Sequence, residues 1–205
     1  MIDAMGFVTA GGASSRMGTD KALLELDGRP MIEHVITALA PAVTGVAIIA
    51  NSPAYESFGL PVFSDAHRGI GPLEAIRTAL TNSDTSRLIL VGCDLPFVSQ
   101  ELFQFLLSLS GNHRAVVPQA PDGELEPLCA IYYPDALTEV TKLIEEGQRK
   151  VRFLFDRVPT RFVRFEELQH LAGSALFFEN INTTDDYLRA RKNIRSIPAG
   201  DRDRS

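Results

Sequence analysis

Thr9-Ala10-Gly11-Gly12-Ala13-Ser14-Ser15-Arg16-Met17-Gly18-Thr19-Asp20-Lys21 brings two adjacent glycines, an arginine and a lysine into one short stretch. Glycines carry no Cβ, so backbone N–H groups there can come close to an anion. Arg16 adds a rigid cation and Lys21 a mobile one, a pairing suited to a polyphosphate. A plain tight turn would use the glycines but would not need Arg16, Gly18 and Lys21 behind them. The stretch is neither of two familiar glycine motifs. Gly18 is followed by Thr19 and Asp20, not by the Lys and Ser or Thr of a Walker A loop, and adjacent glycines do not make GxGxxG.

A second constellation is Val91-Gly92-Cys93-Asp94-Leu95-Pro96-Phe97. It sets a carboxylate at the end of an apolar run, ahead of a proline that stops the chain turning straight into a helix. Mg²⁺ on a phosphate chain is held by one or two such carboxylates plus substrate oxygens. Helix capping or a salt bridge is the structural alternative for Asp94. Asp65 ends the short run Pro61-Val62-Phe63 and precedes a Gly-Pro turn, and Asn51 follows another apolar run; both are expected at the edge that carries Asp94.

The elements that must hold these groups are legible in the apolar pattern. Short continuous runs at 6–8, 46–50, 88–91 and 115–117 read as strands covered on both faces. Between them, 31–39 and 73–80 carry apolar residues at helical spacing, and 99–109 opens with Ser99 as an N-cap. Strand alternating with helix predicts an α/β, Rossmann-like, doubly wound and mostly parallel sheet flanked by helices. In such a sheet, ligands bind at the carboxyl ends of the strands, where the loop after the first strand takes part. Beyond residue 118 the rhythm changes. A polar loop over 118–127, a strand over 128–133, helices over 135–146, 150–156 and 185–192, and a half-exposed strand over 161–165 are expected, followed by a frayed tail over 196–205.

The composition narrows the function classes. The chain has 205 residues, 45% hydrophobic and 22% charged, with a net charge of −6. A long nucleic-acid surface or anionic membrane surface does not fit that charge, whereas small anions can still be bound locally. No apolar run approaches the length of a membrane span and no leader pattern opens the chain, so a cytoplasmic protein is expected. Cys93 and Cys129, far apart, read as buried free thiols. The four histidines form no metal-ligating pattern.

Taken in order along the chain, the motifs resemble those of the molybdenum cofactor guanylyltransferases, nucleotidyltransferases with a Rossmann-like fold. That family opens approximately LAGGxSxRMGxDK, matched here from Thr9 to Lys21 with Thr9 in place of Leu. Gly71-Pro72-Leu73 is similar to its GPL turn, Cys93-Asp94-Leu95-Pro96-Phe97 to CDxPF, Glu126-Pro127-Leu128 to EPL, and Asn180-Ile181-Asn182-Thr183 to NxNT. Glu74 and Ala75 stand where small residues are usual, and Thr184 stands where proline is common.

The resemblance implies transfer of GMP from GTP to the terminal phosphate of molybdenum-loaded molybdopterin, with release of pyrophosphate. Ala10, Gly11 and Gly12 would hold the guanine nucleotide, Arg16 and Lys21 its phosphates, and Asn51 and Asp65 would complete the GTP site. Asp94 would bind Mg²⁺, and Arg16, Lys21 and Asp94 would be the catalytic set. Asn180 and Asn182 would lie near the acceptor, ordering of their loop by the side chains being the alternative. Glu126, at the end of its loop, and Arg149 and Lys150, near a helix start, are expected on the acceptor side, a solvated face being the alternative for the two cations. One domain over 1–195 is expected, with 1–118 mainly for GTP and metal and 119–195 mainly for the acceptor. A contact with a receiving molybdoenzyme or cofactor chaperone is a further possible partner. Cytidylyl transfer to the same pterin, sugar-1-phosphate nucleotidyl transfer and a non-catalytic delivery adaptor are the alternatives.

Overall fold

The computed structural model describes residues 3–11, 20–67, 70–109 and 111–196, with the backbone alone at 195 and 196. Its frame is one seven-stranded sheet. The strands are β1 (Ala4–Thr9), β4 (Gly45–Ile49), β5 (Val62–Phe63), β6 (Arg87–Gly92), β7 (Ala115–Pro118), β8 (Cys129–Tyr132) and β9 (Thr160–Val163). A separate ribbon pairs β2 (Glu25–Leu26) with β3 (Arg29–Pro30). The helices are α1 (Met31–Leu39), α2 (Pro72–Thr81), α3 (Gln100–Ser108), α4 (Leu137–Glu145), α5 (Arg152–Phe155), α6 (Phe165–Leu168) and α7 (Thr184–Ser196).

The strand order is β5-β4-β1-β6-β8-β7-β9, and every pairing is parallel except the two made by β8. The mostly parallel, helix-flanked sheet read from the sequence is therefore the fold of this chain. The exception has a simple cause. No helix lies between β7 and β8, and a parallel return requires a crossover connection, so β8 comes back antiparallel and inserts beside β6. The loop entering β8 thereby lies at the carboxyl end of β6, where Gly92 N–H donates to the Leu128 carbonyl at 2.8 Å.

Strand alternation divides the core between two faces. Val8, Ile48, Ile89, Val91, Val116 and Ile131 pack with α1 and α3. Phe7, Ile49, Leu88, Leu90, Val117 and Tyr132 pack with α2, α4 and α5. Full burial of each such side chain contributes about 1.5–3 kcal/mol. Gly6 lets α1 settle onto β1, because a Cβ there would lie 2.7 Å from Leu39 Cδ2. Ser99 is the N-cap of α3 as expected, its Oγ accepting from Leu102 N–H at 3.2 Å.

Three local expectations are corrected. The strand expected over 161–165 stops at Val163, and Phe165 starts α6, because Glu167 turns back to accept from the Arg164 N–H at 2.9 Å. The helix expected over 150–156 is only α5, four residues long, and the one over 135–146 begins as a 3-10 turn at Pro134–Ala136 before α4. The β2–β3 ribbon was not foreseen, although Asp27-Gly28, both at positive φ, is a hairpin turn signal. Of the tail expected over 196–205, Ser196 still belongs to α7, and 197–205 lie outside the described residues.

Candidate functional site

The carboxyl ends of β1, β4, β5 and β6 share one edge of the sheet, and the groups singled out in the sequence follow these ends. Ala10, nearly buried, continues β1 with its N–H donating to the Ile49 carbonyl at 2.9 Å. Gly11 follows at φ +89 with nothing within 4 Å of where a Cβ would stand, which suits a backbone meant to be approached closely. Gly12 and Arg16 lie outside the described residues. The chain is described again from Asp20, which caps a 3-10 turn at Lys21–Leu23.

Lys21 is the centre of the arrangement. Its Nζ lies 2.9 Å from Asp94 Oδ2 and 3.0 Å from Asn182 Oδ1. Both members of the ion pair are sheltered, with side chains 16% and 21% exposed. Asp94 follows β6, and its carboxylate lies over Gly92, where an added Cβ would meet Oδ1 at 2.4 Å. The backbone carbonyl of Asp94 accepts from Ile181 N–H at 3.0 Å, so the segment 180–182 is fastened to the same loop.

That segment is set by the start of α7. Thr183 Oγ1 accepts from Asp186 N–H at 3.1 Å, while Asp186 Oδ2 accepts from Thr183 N–H at 2.8 Å and Asn182 N–H at 3.0 Å. This reciprocal cap fixes the backbone that presents Asn182 to Lys21. Behind it, Ile181 is buried with Leu26, Met31 and Phe97. Asn180 makes a side-chain hydrogen bond with Glu126, which comes from the loop entering β8. Burial, and secondly the Asp94 charge, raise the Glu126 carboxyl to about 7. Lys21, Asp94, Asn182, Asn180 and Glu126 thus form one group drawn from both halves of the chain.

The remaining expected residues lie apart from that group. Asn51 is exposed just beyond β4. Asp65, beyond β5, accepts from Thr78 Oγ1 of α2 at 2.8 Å, and burial raises its pKa. Glu74, on the first turn of α2, is fully buried. It accepts from the His67 N–H at 3.0 Å and from Arg77 Nε at 3.0 Å, so its buried carboxylate is engaged on both oxygens. Arg149 and Lys150 are in the α4–α5 connection, whose Val151 belongs to the α2–α4 core, whereas the 180–182 segment follows Phe177 and Phe178 of the other face.

Two residues that bear on the site received no role from the sequence, Asp20 and Tyr55, whose side chains hydrogen-bond each other. Asp20 stood in the opening motif; Tyr55 carried no signal. Cys93 and Cys129 are buried free thiols as expected, and burial pushes the Cys93 thiol up to about 12, which keeps it neutral. Among the described residues no three His, Cys, Asp or Glu side chains form a metal-holding group, and no helix is long and apolar enough to cross a membrane.

A glycine-rich exit from the first strand, a lysine on an aspartate at the end of the fourth parallel strand and a Rossmann-like sheet define a nucleotidyltransferase. The MobA-like NTP transferase domain matches residues 6–162, and the chain belongs to that family. A molybdenum cofactor guanylyltransferase of Shewanella sp. (strain MR-4) is 34% identical over 198 residues, covering 94% of this chain and 96% of that protein. The crystal structure of molybdopterin-guanine dinucleotide biosynthesis protein A from Archaeoglobus fulgidus superimposes with a TM-score of 0.81 at 25% identity, covering 94% of this chain and 100% of that one. A Mycobacterium tuberculosis protein of the same fold, solved in complex with manganese, has a TM-score of 0.67 at 16% identity, with 95% and 100% covered.

Proposed function

We propose that this enzyme transfers GMP from GTP to the terminal phosphate of molybdenum-loaded molybdopterin, releasing pyrophosphate and yielding the guanine dinucleotide form of the cofactor. The observation that carries the reading is the double contact of Lys21. One cation engages Asp94 from the half that bears the glycine-rich stretch and Asn182 from the half that follows residue 118. Residues 1–118 then serve mainly the donor and 119–195 mainly the acceptor.

The acceptor is itself a phosphate, so no protein nucleophile is needed. Positioning and charge neutralisation supply the catalysis as an acceptor phosphate oxygen attacks the α-phosphorus in line. Ala10, Gly11 and Gly12 cradle the nucleotide, Asn51 and Asp65 flank it, and Arg16 and Lys21 stabilise the departing pyrophosphate. Glu126, Asn180 and Asn182 face the acceptor, and Arg149 and Lys150, exposed in the α4–α5 connection, make a solvated face instead.

Oxygen donors suit Mg²⁺, and Asp94 is a sheltered but accessible carboxylate that shares its charge with Lys21. Asp94 would hold the ion, which when bound neutralises phosphate charge and polarises the phosphorus centre.

The test is pyrophosphate release with molybdenum-loaded molybdopterin and Mg²⁺, comparing GTP, CTP, ATP and UTP. Release with GTP alone is expected. Release with CTP alone would replace the guanylyl reading by the cytidylyl one, and silence with all four would favour a sugar-phosphate acceptor or a delivery role.

A further inference from the structure

Asp20 has both carboxylate oxygens engaged. Oδ1 accepts from the Ala22 N–H at 3.2 Å, capping the 3-10 turn that begins at Lys21, and Oδ2 accepts from the Tyr55 hydroxyl at 2.7 Å. Tyr55 is fully buried and stacks on Phe58 with ring centroids 6.2 Å apart. It belongs to the 3-10 turn Pro53–Phe58, which starts directly after Asn51 and Ser52. That turn is closed at both ends, by Ser52 Oγ accepting from Ala54 N–H and by Gly59 in the left-handed region. The phenol therefore ties the chain entering Lys21 to the chain leaving β4.

Buried Ala22 and the Met31 N–H on the Leu24 carbonyl seat the Lys21–Leu23 turn against α1, but its own hydrogen bonds hold it weakly. A three-residue 3-10 turn has poor hydrogen-bond geometry, and a lysine side chain has four rotatable bonds over which to spread its ammonium group. A fixed Cα narrows the space over which one Nζ must find Asp94 and Asn182 together. Neutral Cys93 packs close by, its thiol raised mainly by burial and influenced by Asp94, Lys21 and Asp20 in turn.

We infer that the Asp20–Tyr55 hydrogen bond is a positioning device for Lys21, setting the reach of its ammonium group from the buried side of the loop. Tyr55 and Asp20 touch no reacting group in this scheme; they act through Lys21. The bond also makes the Lys21 turn and the segment after Asn51 move as one body, so the two flanks of the donor site stay in register. This inference rests on the role proposed for Lys21 in nucleotidyl transfer.

The experiment is a double-mutant cycle in the full-length chain, reading pyrophosphate release and melting temperature for Tyr55→Phe, Asp20→Asn, Asp20→Ala, Lys21→Ala and Tyr55→Phe/Lys21→Ala. Tyr55→Phe keeps the ring and its packing. It is expected to melt close to the unsubstituted protein yet lower kcat about tenfold, with KM for GTP changed less than about threefold, as for a displaced catalytic group. Asp20→Ala should match or exceed that loss. Asp20→Asn, whose amide can still pair with Ala22 N–H and Tyr55, should recover most of it. Added to Lys21→Ala, the Tyr55 change should cost nothing more. Turnover of Tyr55→Phe within about twofold of the unsubstituted protein, beside a slow Lys21→Ala, would overturn the inference alone. So would losses that multiply in the double variant. Full turnover in Lys21→Ala would instead remove the Lys21 role, and the inference with it.

Discussion

Lys21 Nζ stands 2.9 Å from Asp94 Oδ2, so a cation that follows the glycine-rich stretch meets a carboxylate placed 73 residues later. The pair is sheltered but not sealed, and its contribution to folding is therefore small, about 1 kcal/mol or less. Its contribution to turnover should be large. Lys21→Ala and Asp94→Asn are each expected to lower pyrophosphate release by about 10²-fold or more, on the scale of losing a main transition-state stabiliser, while the melting temperature moves by only a few degrees. Near-normal turnover in both, with folding intact, would remove these assignments.

Glu74 is the buried charge most relevant to the donor side. Burial alone would raise its pKa, but hydrogen bonds from Arg77 and from the His67 N–H outweigh burial and hold the carboxyl below the ordinary range. A depressed folded-state pKa adds stability that is present above the unfolded value near 4.5 and is lost as pH falls through the folded value. Glu74→Gln is expected to cost about 2 kcal/mol at pH 7 by urea unfolding, less than a sealed pair because Arg77 can return to water. The gap should narrow below about pH 4. A constant gap across that range would show that shape rather than charge matters at this position.

Much of this arrangement was legible because it depends on local chemistry. The strand ends, the Ser99 cap, the Asp94 position after β6 and the Asn182-Thr183 start of α7 are each written in a few adjacent residues. What was hidden depends on contacts between distant segments. Nothing in the continuous apolar run of 128–133 says that β8 runs antiparallel between β6 and β7, yet that insertion is what brings Glu126 to Asp94. Nor could spacing show that Lys21 would lie on Asp94, or that Tyr55 would reach Asp20, since each bond joins loops that only the folded sheet brings together. Glu74 illustrates the converse: a large charged residue where small ones are usual looks obstructive in sequence, but it is fully buried with its carboxylate engaged by Arg77 and the His67 N–H.

Glu126 should give the protein a pH dependence of the opposite sign to that of Glu74. Burial and the nearby Asp94 charge raise its carboxyl to about 7 from 4.5, against the hydrogen bond with Asn180. Between those values the folded chain keeps a proton that the unfolded chain has released, so this contribution is fully present below about 4.5 and is lost as pH rises through about 7. Glu126→Gln, neutral throughout, is expected to melt with the unsubstituted protein near pH 5 and above it at pH 8. The advantage should approach about 1–2 kcal/mol, under a ceiling near 3 set by the size of the shift. Chelator in both samples keeps divalent ions from masking the charge. Parallel melting profiles from pH 5 to 8 would contradict the raised carboxyl.

Gly92 offers a way to displace the Asp94 carboxylate without changing its chemistry. The Cβ of an alanine would lie 2.4 Å from Asp94 Oδ1 and 3.7 Å from Leu128 Cβ, the former too close and the latter an ordinary contact. Its φ is outside the left-handed region, so alanine can take the backbone conformation unstrained. The carboxylate is the end of a short side chain and can rotate, so the clash is relieved by moving Asp94 off its present line to Lys21. Gly92→Ala should therefore fold with little loss of melting temperature but turn over about tenfold or more slowly, as expected when a reacting arrangement shifts by about 1 Å. Added to Lys21→Ala, the Gly92 change should bring little further loss, because the pair is already broken. Unchanged turnover in Gly92→Ala would mean that the Asp94 orientation seen here is not the one the reaction uses.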